Sequence, residues 1–441
     1  MALIPWNRWY SLKSYLKSAL WTVPLFALAA GMAVKHLSEM AAAWMVKQGY
    51  IDQKSSFYGL SAGEADAWLD RIYTANLSFL VFTFGSLLVA IQVAGGQYTP
   101  RIIATILLRD NVIRWIVGWF IFTLLWANRT MVQTGDAMVP QFQIFAAAIL
   151  GLGSFVAFLL LIDYSAKLLR PVSLAGRVGE QGIAVIESVY PEPARRTNAS
   201  AAPARKLGPP DRTVRHQGHS KIVLAVNLPM LVAEAQRTGS VIEFVPQVGD
   251  FVAVGEPLFY LYGGNAAEVD EPRLRTLVAF GIERTMEQDP VFSFRILVGI
   301  AAKALSPAIN DPTTAVIAID QLHRLLRLVG TRKLRGEEIA DASGHLRVIF
   351  RTPNWEDFVH ISFREIRNYG AGSLQIARRQ RAMIENLTQT LPEHRHATLR
   401  AELELLDRAI AKQYPFPEDL ALAREPDPQG LGGSSRTRSA G

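Results

Sequence analysis

Four apolar stretches in the first 162 residues limit what this chain can fold into more than any other feature. They cover residues 17–34, 72–94, 113–127 and 139–162. A helix needs roughly 20 apolar residues to cross the hydrocarbon core of a bilayer, and each stretch is close to that length. None carries an acidic residue in its middle, where an ionised group would be strongly unfavourable. The pattern therefore predicts a transmembrane region over residues 17–162 with four spanning helices.

Two of these spans have alternative interpretations. Lys13 and Lys17 precede the short apolar run of the first stretch, as in a signal peptide, but three further spans follow and a retained helix fits better. The third stretch is short and has Arg114 at its edge, from which an arginine side chain can extend to the lipid headgroups. We therefore keep all four spans in the prediction.

The basic residues predict how these spans are oriented. Groups of them lie before the first span, between the second and third, and after the fourth: Arg8, Lys13, Lys17, Arg101, Arg109, Arg114, Lys167, Arg170 and Arg177. The long loop after the first span also carries basic residues, but acidic residues accompany them there: Lys35, Lys47, Lys54 and Arg71 with Glu39, Asp52, Glu64, Asp66 and Asp70. Cytoplasmic loops carry an excess of Lys and Arg, so we expect a bacterial inner-membrane protein with both termini in the cytoplasm. Residues 1–16 are then a cytoplasmic N-terminus. Trp6, Trp9, Tyr10 and Trp21 indicate an anchor at the membrane–water interface.

The composition argues against several kinds of chemistry. The chain has no cysteine, which excludes a disulfide framework and a thiolate site. Its histidines are scattered, and it contains neither a P-loop nor a dinucleotide fingerprint. Ser61 lies in a Gly-x-Ser-x-Gly pattern, but its spacing to Glu64 is that of a helix capping box. The basic patches lack interleaved aromatic residues. We therefore expect no cofactor, no metal site, no nucleic-acid partner and no enzymatic activity.

The chain after residue 162 has the composition of a water-soluble domain. Residues 163–190 are predicted to form a connecting helix or strand, and residues 191–215, rich in Pro, Ala and Arg, a disordered linker. A small β-rich unit at 221–262, a helical domain at 271–412 and a disordered tail at 415–441 follow. The predicted fold class is an α-helical membrane protein followed by an α+β cytoplasmic domain with a small β unit and a helical bundle.

Turn and cap signals define the elements within these two units. The β-rich unit reads strand, helix, strand, strand, with a hairpin that turns at Gly249 and Asp250. In the helical domain, Asp289 and Asp311 each precede a proline. This pairing predicts an N-cap followed by proline at the first helical position. We expect two helices joined by a tight loop, with later helices completing a bundle.

Several long motifs resemble one family. The stretches are QVAGGQYTPRI at 92–102, VGDFVAVGEPL at 248–258, ERTMEQDPVF at 283–292 and KALSPAINDPTTA at 303–315. They are similar to the bacterial membrane proteins grouped as domain of unknown function 2254, over roughly residues 15 to 390. The resemblance implies an integral membrane location and a cytoplasmic domain after the spans. It implies no activity and no functional residues.

Polar residues are dense around the predicted helical hairpin. The candidate ligand-binding set is Arg284, Arg295, Lys303, Asn310, Asp311, Thr313 and Thr314. A helix that starts at Pro312 would present free N–H groups and a positive dipole end to a small anion. In the alternative interpretation, Asp311 and Thr314 cap the helix while the charges pair or face solvent.

The second span also carries polar residues, namely Asn76, Thr83, Ser86 and Gln92. Such groups could line a polar membrane path. More often, residues of this kind form hydrogen bonds between packed helices, and we favour that interpretation.

Two functions fit this organisation. One is a channel or transport-related protein that its cytoplasmic domain gates, and a bundle of four helices would then need to form a homo-oligomer. The other is a membrane-anchored scaffold or sensor that recruits a soluble partner and conducts nothing. The expected partners are the lipid bilayer and either a small anion or a soluble protein.

Overall fold

The computed structural model describes residues 5–19, 21–48, 62–97, 110–134, 141–168, 170–194, 207–334 and 336–432. These residues fall into two units, which are described separately. A helical unit is drawn from residues 16–170. A mixed α/β unit combines the N-terminal residues up to Tyr15 with the chain from Pro171 onward. Ser61, the residue of the serine pattern, lies outside the described residues.

Six helices occupy the described part of the first 190 residues: α1 (Trp6–Ser18), α2 (Thr22–Lys47), α3 (Ala62–Gln97), α4 (Asn111–Thr134), α5 (Gln141–Leu168) and α6 (Pro171–Val189). Three segments are long and apolar enough to cross a membrane, namely Gly63–Gln92, Asn111–Val132 and Phe142–Leu168. They coincide with the second, third and fourth predicted spans. The apolar part of α2 is shorter, at Thr22–Ser38. The described residues therefore contain three candidate spans, not four.

Small residues bring the helices of the helical unit together. A Cβ atom at Gly118 of α4 would lie 3.3 Å from the side chains of Val23 and Ala27 in α2. One at Gly153 of α5 would lie 2.9 Å from the ring of Trp119. The outer surface of these helices carries large exposed apolar side chains, including Phe82, Leu88, Trp115, Leu152 and Leu160. Water would solvate this surface poorly, whereas lipid would cover it.

The mixed unit is built on two β-sheets. Its described strands are β1 (Arg212–Arg215), β2 (Lys221–Val226), β3 (Val241–Phe244), β4 (Phe251–Val252), β5 (Pro257–Tyr262), β6 (Val278–Gly281), β7 (Glu338–Ala340) and β8 (Leu346–Phe350). The larger sheet has the order β1-β5-β3-β8-β7, and its β3–β8 pair is parallel. The smaller sheet has the order β4-β2-β6. Helix α7 (Leu228–Thr238) packs on β3 and β8, and α8 (Glu271–Thr276) leads into β6.

The predicted helical hairpin is confirmed as α9 (Pro290–Ala304) and α10 (Pro312–Gly330). The Asp289 carboxylate accepts the N–H of Phe292 at 3.1 Å, and the Asp311 carboxylate accepts the N–H of Thr314 at 3.0 Å. Both caps precede a proline in the first turn, as predicted. Helix α6 packs against both members of the hairpin. Residues 171–189 of the predicted connecting segment are therefore helical.

Four further helices follow: α11 (Trp355–Gly370), α12 (Leu374–Thr390), α13 (His396–Gln413) and α14 (Pro417–Ala423). The first three are the predicted later helices. The prediction of disorder from residue 415 is wrong as far as residue 432. The buried Arg378 of α12 donates from Nε to the carbonyl oxygen of Glu425 at 3.1 Å, and the Asp427 carboxylate accepts the N–H groups of Gln429 and Gly430. These contacts order a segment that has few apolar residues of its own.

Three other features of the mixed unit were predicted wrongly: the end of a linker, the pairing of a hairpin and the separation of two segments. The disordered linker at 191–215 extended too far, because β1 pairs with β5 through Thr213 and Tyr260. The hairpin at Gly249 and Asp250 is not formed by neighbouring strands, since β3 pairs with β5 while β4 pairs with β2 in the other sheet. The β-rich and helical segments are also not separate units, since β8 pairs with β3. The larger sheet draws strands from both.

Two glycines that flank β4, Gly249 and Gly255, differ in how closely other residues pack around them. Both have left-handed φ angles, 94° at Gly249 and 86° at Gly255. A Cβ at Gly249 would lie 2.5 Å from the Arg284 guanidinium and 2.6 Å from the Asp289 carboxylate, whereas one at Gly255 would meet nothing within 4 Å.

We expect Gly255→Ala to lower the free energy of unfolding by about 1 kcal/mol through backbone strain alone. Gly249→Ala should lower it by roughly 3 kcal/mol, because the methyl group also displaces a buried ion pair. Chemical unfolding of the purified full-length protein in detergent measures both. Equal destabilisation of the two variants would contradict the close contact at Gly249.

Candidate functional site

The mixed unit contains an open cleft of about 1150 Å³. Its lining comes from the end of α6, the start of α7, the N-terminal end of α9, strand β7 and the residues after β8. Phe350 ends β8, and its parallel neighbour β3 ends at Phe244 in the same register. The cleft therefore lies by the carboxyl end of β8.

The cleft wall has both apolar and polar parts, and its charged residues include four acids: Glu192, Glu287, Asp289 and Glu338. Leu228, Val232 and Phe350 are among its apolar side chains, and Arg351 follows the last strand as an exposed cation. The buried Tyr190 places its hydroxyl 3.4 Å from that of Thr352. An apolar pocket with a small number of convergent polar groups is the usual form of a small-molecule site.

A partly buried ion pair borders the cleft at the start of α9. Asp289, only 3% exposed, forms an ion pair with Arg284 and caps the helix. Burial raises the pKa of the Asp289 carboxyl, and the Arg284 guanidinium opposes that rise. The neighbouring Gln288 accepts the N–H of Val226 through Oε1 at 3.1 Å, which joins this motif to β2.

Two of the motifs quoted above meet at this border. Gly249 in the stretch 248–258 lies against Arg284 and Asp289 in the stretch 283–292. Val248, Gln288 and Asp289 all line the cleft. Sequence reasoning singled out both stretches but gave no sign that they touch, because 24 residues lie between them.

The structure does not gather the predicted basic residues into one anion site. Arg284 pairs with Asp289, as described. Arg295 pairs with Glu365 of α11 through both terminal nitrogens, one contact measuring 2.7 Å. This pairing raises the pKa of Arg295 and lowers that of Glu365. Lys303 lies in the last turn of α9. Arg284 and Arg295 are therefore each already paired with a carboxylate.

The start of α10 already holds a carboxylate of its own. The Asp311 side chain accepts both the N–H and the hydroxyl of Thr314. Asn310 adopts a left-handed φ of 48°, and the side chain of Thr313 is exposed. This geometry is that of the alternative interpretation, in which Asp311 and Thr314 cap the helix. Anion binding by the set stays a prediction.

The polar residues of the second span bond mainly within their own helix. Asn76 donates to the carbonyl oxygen of Ile72 at 2.8 Å, Thr83 to that of Phe79 at 2.6 Å, and Ser86 to that of Thr83 at 3.0 Å. Gln92 is exposed. These bonds satisfy hydroxyl groups without a water-filled path. A polar membrane path along α3 stays a prediction.

Sequence reasoning missed a buried cation in the helical unit. The first span was ended at residue 34, which left Lys35 in a loop, but α2 continues to Lys47. Lys35 is 4% exposed. Its Nζ donates to the Thr130 hydroxyl at 3.0 Å and to the Gln143 side chain, and it lies 4.9 Å from the centre of the Trp126 ring. A signal for the longer helix was present in the sequence, because residues 35–48 contain no Gly or Pro that would end a helix.

Comparisons with known proteins agree with the membrane assignment. The model of a family described as "Predicted membrane protein (DUF2254)" matches residues 17–386. An uncharacterized protein of Mycobacterium bovis is 24% identical over 432 residues, which cover 94% of this chain and 81% of the relative. Uncharacterized proteins from two strains of Mycobacterium tuberculosis match over the same shares at 24% and 23% identity. No solved structure matches the chain significantly.

The ion pair at the start of α9 can be tested by removing its cation. We expect Arg284→Met to lower the free energy of unfolding by roughly 3 kcal/mol, because a buried carboxylate loses its partner. The double variant Arg284→Met/Asp289→Asn should regain most of this loss, since Asn caps a helix without a charge. Chemical unfolding of the full-length protein measures both.

The same variant predicts a pH dependence. In Arg284→Met, the folded-state pKa of Asp289 should lie well above its unfolded value, so protonation favours the folded state. The stability lost in the variant should then return as the pH falls from neutral to about 4. A deficit that is the same at both pH values would contradict a buried, ionised Asp289.

Proposed function

The chain belongs to the family of predicted membrane proteins DUF2254, and we propose that it is a membrane-anchored sensor whose mixed α/β unit binds a small anionic ligand. We further propose four spans in a bacterial inner membrane, cytoplasmic termini and a homo-oligomeric, non-catalytic protein. The first of the four spans would be the apolar part of α2, and local thinning of the membrane would accommodate its short length.

The cleft by the carboxyl end of β8 is the observation that carries the ligand proposal. Leu228, Val232 and Phe350 offer an apolar wall, and Arg351 offers an exposed cation at one side. These groups suit a molecule with a flat apolar body and one anionic group. A bare inorganic anion would leave the apolar wall unused, and a neutral ring would leave Arg351 without a partner.

Helix α6 supports the link from ligand to membrane. It begins at Pro171, three residues after α5 ends at Leu168. The residues at its other end, from Ser188 to Glu192, line the cleft. One continuous helix therefore separates the ligand-lining residues from the last candidate span along the chain. A ligand that prefers one position of this helix would favour the matching state of the span.

Two membrane responses remain as proposals, and each has a supporting observation. The buried Lys35 favours gated transport, because ionisable residues within membrane helices often mark a substrate path. Thr83 and Ser86, whose hydroxyl groups bond within their own helix, favour an anchored scaffold or sensor that recruits a soluble partner and conducts nothing. We place transport first because the helical unit buries several ionisable residues, namely Lys35, Asp110 and Arg114, and such residues often mark a substrate path.

Calorimetry on the full-length protein in detergent tests the ligand proposal. Adenosine monophosphate carries both an aromatic body and an anion, so we expect it to release more heat than inorganic phosphate or adenosine. Ala340→Trp, an exposed position on the edge strand β7 that lines the cleft, should abolish this heat. Ala267→Trp, equally exposed but outside the cleft, should keep it. Absence of heat from all three compounds, or equal loss in both variants, would contradict the proposed site.

Chloride flux from vesicles that contain the purified protein tests the transport proposal. Lys35→Met should reduce the flux at least tenfold, on the order expected when a coupling energy above 1.4 kcal/mol is lost. Lys47→Met, on the same helix but exposed, should leave it unchanged. Wild-type protein that is inserted and folded but carries no chloride would reject a chloride path and favour the scaffold.

A further inference from the structure

Helix α1 has two different faces. Trp6 and Tyr10 pack against the smaller sheet, where they contact Leu224, Ala225 and Ala279. The hydroxyl of Ser11 also reaches the carbonyl oxygen of Phe280 in β6, at 3.4 Å. This face therefore holds α1 on the sheet β4-β2-β6.

The other face of α1 is apolar and carries large, partly exposed side chains. Trp9, Leu12 and Tyr15 are spaced three residues apart, which places them within about a third of the helix circumference. They are 55%, 43% and 59% exposed. A helix that only covered a sheet in water would carry polar residues there.

The sheet continues this apolar surface beside α1. Ile222 packs against the same cluster as Trp6 and Tyr10, and the register places Phe251 of β4 directly opposite Ile222. Paired residues of antiparallel strands point to the same face. Phe251 is 65% exposed, and the nearby Val254 and Ile282 are also exposed.

Charge distinguishes a lipid surface from another protein as the occupant. Helix α1 carries Arg8, Lys13 and Lys17 and no acidic residue. Nearby acids are partly engaged, since Asp250 and Glu256 accept backbone N–H groups, while Glu283 is exposed. Chain connectivity agrees, because α1 ends four residues before the apolar helix that starts at Thr22. Basic helices with aromatic and aliphatic side chains on one face lie in the interface of anionic membranes.

We propose that the outer face of α1 (Trp9, Leu12 and Tyr15 with Arg8 and Lys13), together with Phe251, Val254 and Ile282, forms a docking surface for an anionic bilayer. The apolar side chains enter the boundary between headgroups and acyl chains, and the basic ones meet lipid phosphates. The surface holds the mixed unit against the membrane independently of the spans. This inference does not depend on the cleft or on transport.

The absence of cysteine allows one label to be placed at a time. Full-length Leu12→Cys and Phe251→Cys, each labelled with a nitrobenzoxadiazole fluorophore, are reconstituted in phosphatidylcholine vesicles with and without phosphatidylglycerol. Spin-labelled lipid should quench both labels several-fold more than a label at Ala267→Cys, which is exposed on the same unit. Leu152→Cys, exposed on the apolar helix α5, confirms insertion. Phosphatidylglycerol should increase the quenching at position 12, and Arg8→Gln/Lys13→Gln should remove that increase.

Quenching at position 152 without quenching at positions 12 and 251 overturns the proposal. If those two labels are also protected from aqueous iodide, a protein covers the surface instead, and the proposal fails in favour of that partner. Quenching that ignores phosphatidylglycerol overturns the role given to the basic residues.

Discussion

The burial of backbone and apolar groups away from water is the constraint on which the helical unit depends. Hydrocarbon offers no hydrogen-bond partner to a free N–H or carbonyl group, so a spanning segment must satisfy its backbone internally as a helix. The large exposed side chains on α3, α4 and α5 follow from this, because lipid is their solvent. The polar residues inside the unit then need partners within it. Thr83 finds one in its own helix, and Lys35 finds two on α4 and α5.

In the mixed unit, the carboxylate of Asp289 is the group on which several neighbouring elements depend. It stabilises the start of α9, pairs with Arg284 and requires a glycine at position 249. Through the adjacent Gln288 it is also tied to the backbone of β2. A helix, a tight turn and a strand therefore converge on one buried charge beside the cleft. All of these contacts must form together, because an unpaired carboxylate at this position would destabilise the fold.

The features that the sequence predicted correctly are those that depend on residues close together in the chain. The caps at Asp289 and Asp311 depend on a side chain and the backbone three residues later, so the sequence shows them directly. The three long apolar helices likewise depend on composition. The parallel pairing of β3 with β8 joins residues about a hundred positions apart, and no pattern in a single sequence specifies it. The same holds for the pairing of Arg295 with Glu365, which leaves the predicted anion site without one of its cations.

The way in which α6 packs limits how a ligand signal could travel. A Cβ at Gly182 would lie 2.8 Å from the Ser293 hydroxyl of α9, and the backbone at Gly179 is closed in by Gln321 of α10. Helices this close cannot slide freely past each other, because the packed interface has few alternative arrangements. A ligand that displaces the end of α6 must therefore move the three helices α6, α9 and α10 together. The start of α9 is also the Asp289 site, so any such movement changes the border of the cleft itself. Ligand affinity and helix position are then coupled in both directions, as linkage requires. A coupling of about 1–3 kcal/mol, the usual range for such sites, would be enough to alter the state of a candidate span that ends three residues before α6 begins.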